Sequence, residues 1–353
     1  MDTLTHALSG ALLARATAPV KPVPGALTPG ARMTVGFLAA AFPDSDFVLR
    51  LFDTLTYVTL HRGVTHSILL LPGWALLLAW LLSFLSRQRY SWRAIYGTAV
   101  LGIAIHIAGD VITSYGTMVL APFSRQAFAV PFTFIIDPYF TAIIAIGLVA
   151  GRSRPDSRYP AVLSLAVLGC YVGFQGVLHS DAIQIGEAYR ENKGLINAQV
   201  HAFPQPLSPF NWKIIVNYKD EYEVALVNLR RKLNYAPAGP ASGILGMWGR
   251  IDAGYQSPAA AAWARYKQFG DNSSRAVLAR QAWNQEVFAR FRGFASFPVL
   301  DQIEFAGNAV CVSFFDLRFT LPSLPPSLVF GVCRDSPRGP WRLKQDPGLF
   351  GRD

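Results

Sequence analysis

The segment HRGVTHSILLLPGWALLLAWLLSFLS, residues 61–86, divides into two halves of different chemistry. From Ile68 to Ser86 no charged residue occurs in 19 positions, close to the roughly 20 apolar residues an α-helix needs to cross a bilayer. Directly before it, His61-Arg62-Gly63-Val64-Thr65-His66-Ser67 sets two imidazoles and a guanidinium at the edge of the same apolar run. A membrane span with ionisable groups at its mouth is the expectation.

Working outward, Ala94 to Gly109 and Tyr159 to Ser180 are also free of charge, and a further apolar stretch runs from Tyr139 to Gly151. Leu4 to Ala18 and Met33 to Phe42 are apolar but too short to cross comfortably. This pattern predicts a membrane α-helical bundle over residues 1–180, with about four full spans plus two short N-terminal apolar helices. Composition agrees. The 353 residues are 52% hydrophobic and only 15% charged, against roughly 25% charged in an ordinary soluble domain. Disorder, collagen and coiled coil are excluded, and a wholly soluble enzyme is not expected.

The net charge is +10, yet there is no Lys/Arg block interleaved with aromatics, no zinc-finger spacing and no phosphate-cradling loop, so nucleic acid is not expected as a partner. The membrane explains the excess better. Nine of the twelve Lys and Arg in residues 1–180 (Arg15, Lys21, Arg32, Arg87, Arg89, Arg93, Arg152, Arg154 and Arg158) fall on one side if successive helices alternate direction. By the positive-inside rule that side is cytoplasmic. The opposite side then holds Asp2, Asp44, Asp46, Asp53, Asp110 and Asp137, together with four histidines. Met1-Asp2-Thr3-Leu4 lacks a basic n-region, so no removable signal peptide is expected and His6 stays in the protein.

Beyond Ser180 the remaining 173 residues carry 20 basic and 15 acidic side chains and predict a soluble α+β domain over 181–353, outside the cytoplasm. Asn211 to Tyr218 and Glu221 to Leu229 flank a polar Lys219-Asp220 turn and predict a hairpin. Ser257 to Phe269 and Ser273 to Phe294 predict two helices, each opened by a Ser cap. Val299 to Phe305, Ala309 to Phe319 and Leu328 to Cys333 predict strands. Cys311 and Cys333 lie in neighbouring strands, and in an oxidising compartment they are candidates for a disulfide. Ala18 to Gly30 reads as a Pro/Gly-rich linker.

Ionisable groups at a bilayer boundary cost several kcal/mol unless paired or wetted. Four motifs gather them on one face. Phe42-Pro43-Asp44-Ser45-Asp46 offers two carboxylates; His61 and His66 open the next span; His106 and Asp110 share a helical face at i and i+4; His6 completes the set. Imidazole and carboxylate together suit a divalent metal, zinc first with manganese as the alternative, and the lack of cysteine favours an open catalytic site over a closed structural one. His66, His106 and Asp110 are the leading ligands, with His6 and His61 as further candidates and Asp44 or Asp46 as bridging ligand or general base. Thr65 and Arg62 are candidates to meet a phosphate or ester. Asp137, just before Pro138, suits either a helix cap or a supporting ligand.

These residues resemble the YdjM-like membrane-bound metal-dependent hydrolases of bacteria. The likeness rests on Leu4-Thr5-His6 with Gly10, the Phe-Pro-Asp-x-Asp element, His-Arg-Gly-x-Thr-His-Ser, and His106 and Asp110 leading to Thr113. It continues through Tyr115-Gly116-Thr117, Ala121-Pro122-Phe123 and Phe134 to Pro138, covering roughly residues 1 to 150. The resemblance implies an inner-membrane hydrolase, and a more distant similarity to zinc-dependent phospholipase C points to a phosphodiester in a lipid headgroup. One departure is Ile107-Ala108-Gly109, where relatives carry bulkier residues; Gly109 either loosens the helix or permits close packing. Two rivals stand beside the enzyme: a non-catalytic membrane protein whose His/Asp network is structural or conducts ions, and a scaffold acting through its soluble tail.

Overall fold

The computed structural model describes residues 1–21, 24–232 and 243–344; positions 22 and 23 of the Ala18–Gly30 linker lie outside that set. The chain forms two compact units, Met1–Val48 with Leu60–Val177 and Leu49–Thr59 with Leu178–Asp353.

The first unit is helical. It holds α1 (Thr3–Ala16), α2 (Pro29–Ala41), the end of α3 (Thr54–Leu60), α4 (Leu71–Leu85), α5 (Trp92–Val111), α6 (Pro138–Arg152) and most of α7 (Tyr159–Asn192). Local chemistry sets the starts: Asp2, Thr28, Ser91 and Asp137 accept hydrogen bonds from the first free amides of α1, α2, α5 and α6. Inside the bundle, Ala39, Ala75, Ala79, Ala99 and Ile103 join α2, α4 and α5. Leu12, Phe140, Ile144 and Ala161 join α1, α6 and α7. The closest approach is glycine on glycine. A Cβ on Gly10 of α1 would collide with the carbonyl oxygen of Gly36 on α2, and one on Gly102 of α5 would sit 2.9 Å from that same oxygen.

The number of spans differs from the expectation of about four. Among the described residues, Trp92–Val111 and Tyr159–Asn192 are long and apolar enough to cross. A third crossing arises if Thr54–His66 and Leu71–Leu85, bent by 83° at their junction, act as one broken span. The reason is length. The apolar run at 68–86 yields a helix only from Leu71, and α4 and α6 have 15 residues each, about 22 Å of rise against a hydrocarbon core about 30 Å thick.

The second unit combines helices with two four-stranded antiparallel sheets, ordered β1-β2-β3-β4 and β5-β6-β7-β8. The strands are β1 (Gln199–Pro204), β2 (Asn211–Tyr218), β3 (Glu221–Asn228), β4 (Trp263–Lys267), β5 (Pro298–Ala306), β6 (Ala309–Asp316), β7 (Phe330–Arg334) and β8 (Arg342–Leu343). Besides most of α3 and the end of α7, its helices among the described residues are α8 (Gly243–Ala253), α9 (Ser273–Trp283) and α10 (Ala289–Phe294). The expected hairpin is β2 and β3, turning at Lys219 in the left-handed region with φ 57°. Phe203, Ile215 and Tyr222 of the first sheet pack with Val299 and Phe315 of the second and with Phe297, just before β5. Cys311 and Cys333 face each other across β6 and β7 and form a disulfide.

Two predicted helices are corrected. Ser257–Phe269 holds a short 3-10 turn and then β4, which completes the open edge of β3 through Tyr222–Tyr266 and Val224–Ala264 pairs. Sheet completion outweighs the helix propensity of the alanines there. Ser273–Phe294 is broken into α9, a 3-10 turn and α10. Trp283, Phe288 and Phe291 are all buried in one core, whereas five residues of unbroken helix would turn Trp283 and Phe288 apart by about 140°.

Candidate metal centre

The first unit brings four motifs to one place. His106 and Asp110 lie one turn apart on α5 and are fully buried. His66 ends a one-turn 3-10 segment, Val64–His66, before α4. Asp44 lies on the 3-10 stretch Pro43–Leu51 that follows α2.

The ring protons can be deduced from the partners. His106 Nδ1 lies 2.6 Å from the carbonyl oxygen of Ala40, which can only accept, so Nδ1 carries the proton and Nε2 of the neutral ring a lone pair. Thr65 Oγ1 donates to Asp46 Oδ2 at 3.0 Å, which leaves the hydroxyl to accept from His66 Nδ1 at 2.9 Å. Nε2 of neutral His66 therefore also carries a lone pair. These two Nε2 atoms are 2.9 Å apart.

Two carboxylate oxygens close the group. Asp110 Oδ2 is buried without a hydrogen-bond partner, 3.2 Å from His66 Nε2 and 3.4 Å from His106 Nε2. Asp44 Oδ1 lies 3.7 Å and 3.6 Å from the same two nitrogens. Bond lengths of about 2.0–2.1 Å in a tetrahedral site imply ligand separations of about 3.3 Å, and these edges scatter around that value. Asp44, His66, His106 and Asp110 thus form a group able to hold a metal ion.

Each carboxylate has one oxygen turned inward and one anchored outside. Asp110 Oδ1 accepts from the Met1 ammonium, His6 Nε2 and Arg62 Nη2, the last two at 3.0 Å. Asp44 Oδ2 accepts from Thr3 Oγ1 at 2.6 Å.

The family model of the YdjM inner membrane protein matches residues 1–182. The chain belongs to that family. All four residues of the metal group lie inside the matched region of this YdjM family member. It is 30% identical over 180 residues to the uncharacterized protein YfhP of Bacillus subtilis (strain 168), an alignment that covers 49% of this chain and 52% of YfhP. The chain therefore spans about half the length of the curated relative it matches. No solved structure matches it.

The other candidate residues take supporting positions. His6 stands outside the four-atom group; its ring stacks on His106 with centroids 3.7 Å apart while its Nε2 holds Asp110. Gly109 is what admits it, since a Cβ there would come within 3.1 Å of the His6 ring. His61 pairs through Nδ1 with Asp46 Oδ1 at 2.8 Å, and Asp46 Oδ2 also receives the Arg62 amide. Arg62, expected to meet a phosphate or ester, is instead buried against Asp110, donates to Thr113 Oγ1 and lies over the Tyr115 ring. Asp137 caps α6 through Tyr139 and Phe140 amides and accepts from the Tyr171 hydroxyl, the helix-cap alternative. Sequence reasoning missed Thr3, the Met1 amine and Ala40 as partners. Thr3 lies just before the Leu4-Thr5-His6 motif, and nothing in its spacing marks a bond to Asp44, 41 positions away.

Proposed function

We propose that this YdjM family member is a membrane-embedded, metal-dependent hydrolase of an ester or phosphodiester, with a lipid headgroup as its substrate class, at the outer face of the inner membrane. The observation that carries the reading is the meeting of two imidazole lone pairs and two carboxylate oxygens in a buried space. Such donors repel one another unless a cation lies among them. Two imidazoles and two carboxylates suit zinc, with manganese the alternative. A bound divalent ion lowers the pKa of a water and polarises an ester or phosphoryl oxygen.

The remaining chemistry belongs to the chain. Asp46 accepts from His61 Nδ1 and would steady the imidazolium formed when His61 takes a proton, the arrangement of a general base with its orienting carboxylate. Thr65 holds both Asp46 and His66 and keeps the His66 tautomer that ligation requires. Arg62, His6 and the Met1 amine fix Asp110 so that Oδ2 points inward. The basic clusters at Arg87–Arg93 and Arg152–Arg158 support an inside-facing assignment for those ends. The Cys311–Cys333 disulfide supports an oxidising location for the C-terminal unit.

Metal analysis of the purified full chain, followed by hydrolysis assays on phospholipids and chromogenic phosphodiesters, tests the reading. Stoichiometric zinc or manganese, lost together with hydrolysis in His66→Ala and His106→Ala, is the expected result. The orientation is tested by impermeant thiol labelling in intact cells, in a Cys170→Ser background: Asp53→Cys is expected to react and Arg89→Cys to stay protected.

A second reading follows from the same 2.9 Å approach. A proton shared by His66 and His106 would also separate the lone pairs and would make the cluster a structural or proton-conducting network. It predicts no bound metal and unchanged hydrolytic background in both variants.

A further inference from the structure

The chain leaves the metal cluster after Asp46 and returns to it at His61. Between these points, Leu49–Thr59 belongs to the C-terminal unit. Leu55 and Val58, three apart on α3, are only 5% and 4% exposed and sit in the same core as Trp283, Phe288 and Phe314. Arg290 Nη1 donates to Thr56 Oγ1 at 2.9 Å. Asp53 caps the helix by accepting from the Thr56 amide at 2.6 Å. The entry to the excursion is otherwise open, since Leu51 and Phe52 are 82% and 78% exposed. Leu55 and Val58 are its buried anchors, with Tyr57 packed against the same core.

The exit has no slack. Only Thr59 and Leu60 separate the Val58 anchor from His61, whose Nδ1 is bonded to Asp46. The next residue, Arg62, holds a left-handed backbone with φ 63° and carries the ion pair to Asp110. A shift of α3 has no flexible linker to absorb it before it reaches His61, Thr65 and His66.

We infer that the C-terminal unit positions the metal centre through this excursion, with Leu55 and Val58 as positioning residues that set where His61 and His66 stand relative to Asp44 and Asp46. The inference rests on the metal-centre reading for its functional meaning. It assigns the C-terminal unit a mechanical part in the site, because releasing α3 from that core removes the anchor between two ligand-bearing motifs.

The test uses the full chain in nanodiscs and compares wild type, Leu55→Ser/Val58→Ser and Val312→Ala. Val312 is fully buried in the same core but lies on β6, outside the excursion. Amide hydrogen exchange across residues 60–67 is the primary readout and bound zinc or manganese the second. The double variant is expected to exchange at least tenfold faster at 60–67 and to lose at least tenfold in metal affinity, with both unchanged in Val312→Ala. Should the double variant fail to fold, Thr56→Arg, which sets like charges opposite Arg290, is expected to move the same amides in the same direction. Unchanged exchange at 60–67 on releasing α3, or an equal increase in Val312→Ala, overturns the inference. A wild-type chain that holds no metal overturns the metal reading alone, since the exchange result still decides this one.

Discussion

His66 Nε2 and His106 Nε2 face each other at 2.9 Å, each turned there by a hydrogen bond on the far side of its own ring. Both rings must be neutral to present lone pairs, so protons compete with metal for the same atoms. Bound metal is expected to be retained at pH 8 and lost progressively as the pH is lowered and protons take the two Nε2 atoms. Metal content after dialysis at stepped pH measures this; retention down to pH 4 would speak against imidazole ligation.

Asp110 balances three buried donors through one oxygen. Asp110→Asn leaves Arg62 and the Met1 ammonium without their counter-charge, a loss of about 3–5 kcal/mol for a broken buried pair. Thermal unfolding of the purified variant is expected to fall markedly even in the presence of chelator. A drop seen only with metal present would assign Asp110 to ligation alone.

Asp46 lies outside the four-atom group but touches His61, Arg62 and Thr65. Asp46→Asn is expected to keep most of the metal and to slow hydrolysis by about 10²-fold or more, the usual worth of an oriented general base. Metal stoichiometry and turnover are measured side by side. Full turnover in this variant, or in His61→Gln, removes the proposed proton relay.

Lys213 on β2 is fully buried, and burial pushes its amine down from 10.5 to about 7 against the pull of Asp316. Between these two values the unfolded chain holds a proton that the folded unit has released, so stability rises with pH across that window and is lowest below it. Chemical unfolding of the C-terminal unit at pH 7 and pH 9.5 is expected to show the rise. Lys213→Met should flatten it while orphaning the Leu317 and Thr320 carbonyls that the amine now bonds.

Much of the site was legible in the sequence because its ligands sit in short motifs whose residue types have few other uses at a bilayer edge. What was not legible is direction. Whether His6 and His61 bind an ion or support those that do depends on Asp110 Oδ1 and Asp46 Oδ1, partners 104 and 15 positions away. The count of spans failed for a related reason: hydropathy measures the apolar run at 68–86 but not the turn that uses up its first three residues before Leu71. In the C-terminal unit the β2–β3 hairpin was readable from its own alternation, whereas β4 forms because β3 has an open edge. The anchoring of Leu55 and Val58 leaves no local trace at all, since seven residues are too few for periodicity to mark a buried face.

The contact of Gly10, Gly36 and Gly102 has a bearing on ion choice. Where three backbones already touch, the frame behind His6, Asp44, His106 and Asp110 cannot widen without parting helices. On the proposed reading such a frame limits how far the four donors can part, which favours the short bonds of a small transition-metal ion over calcium, which wants six to eight oxygens at about 2.3–2.6 Å.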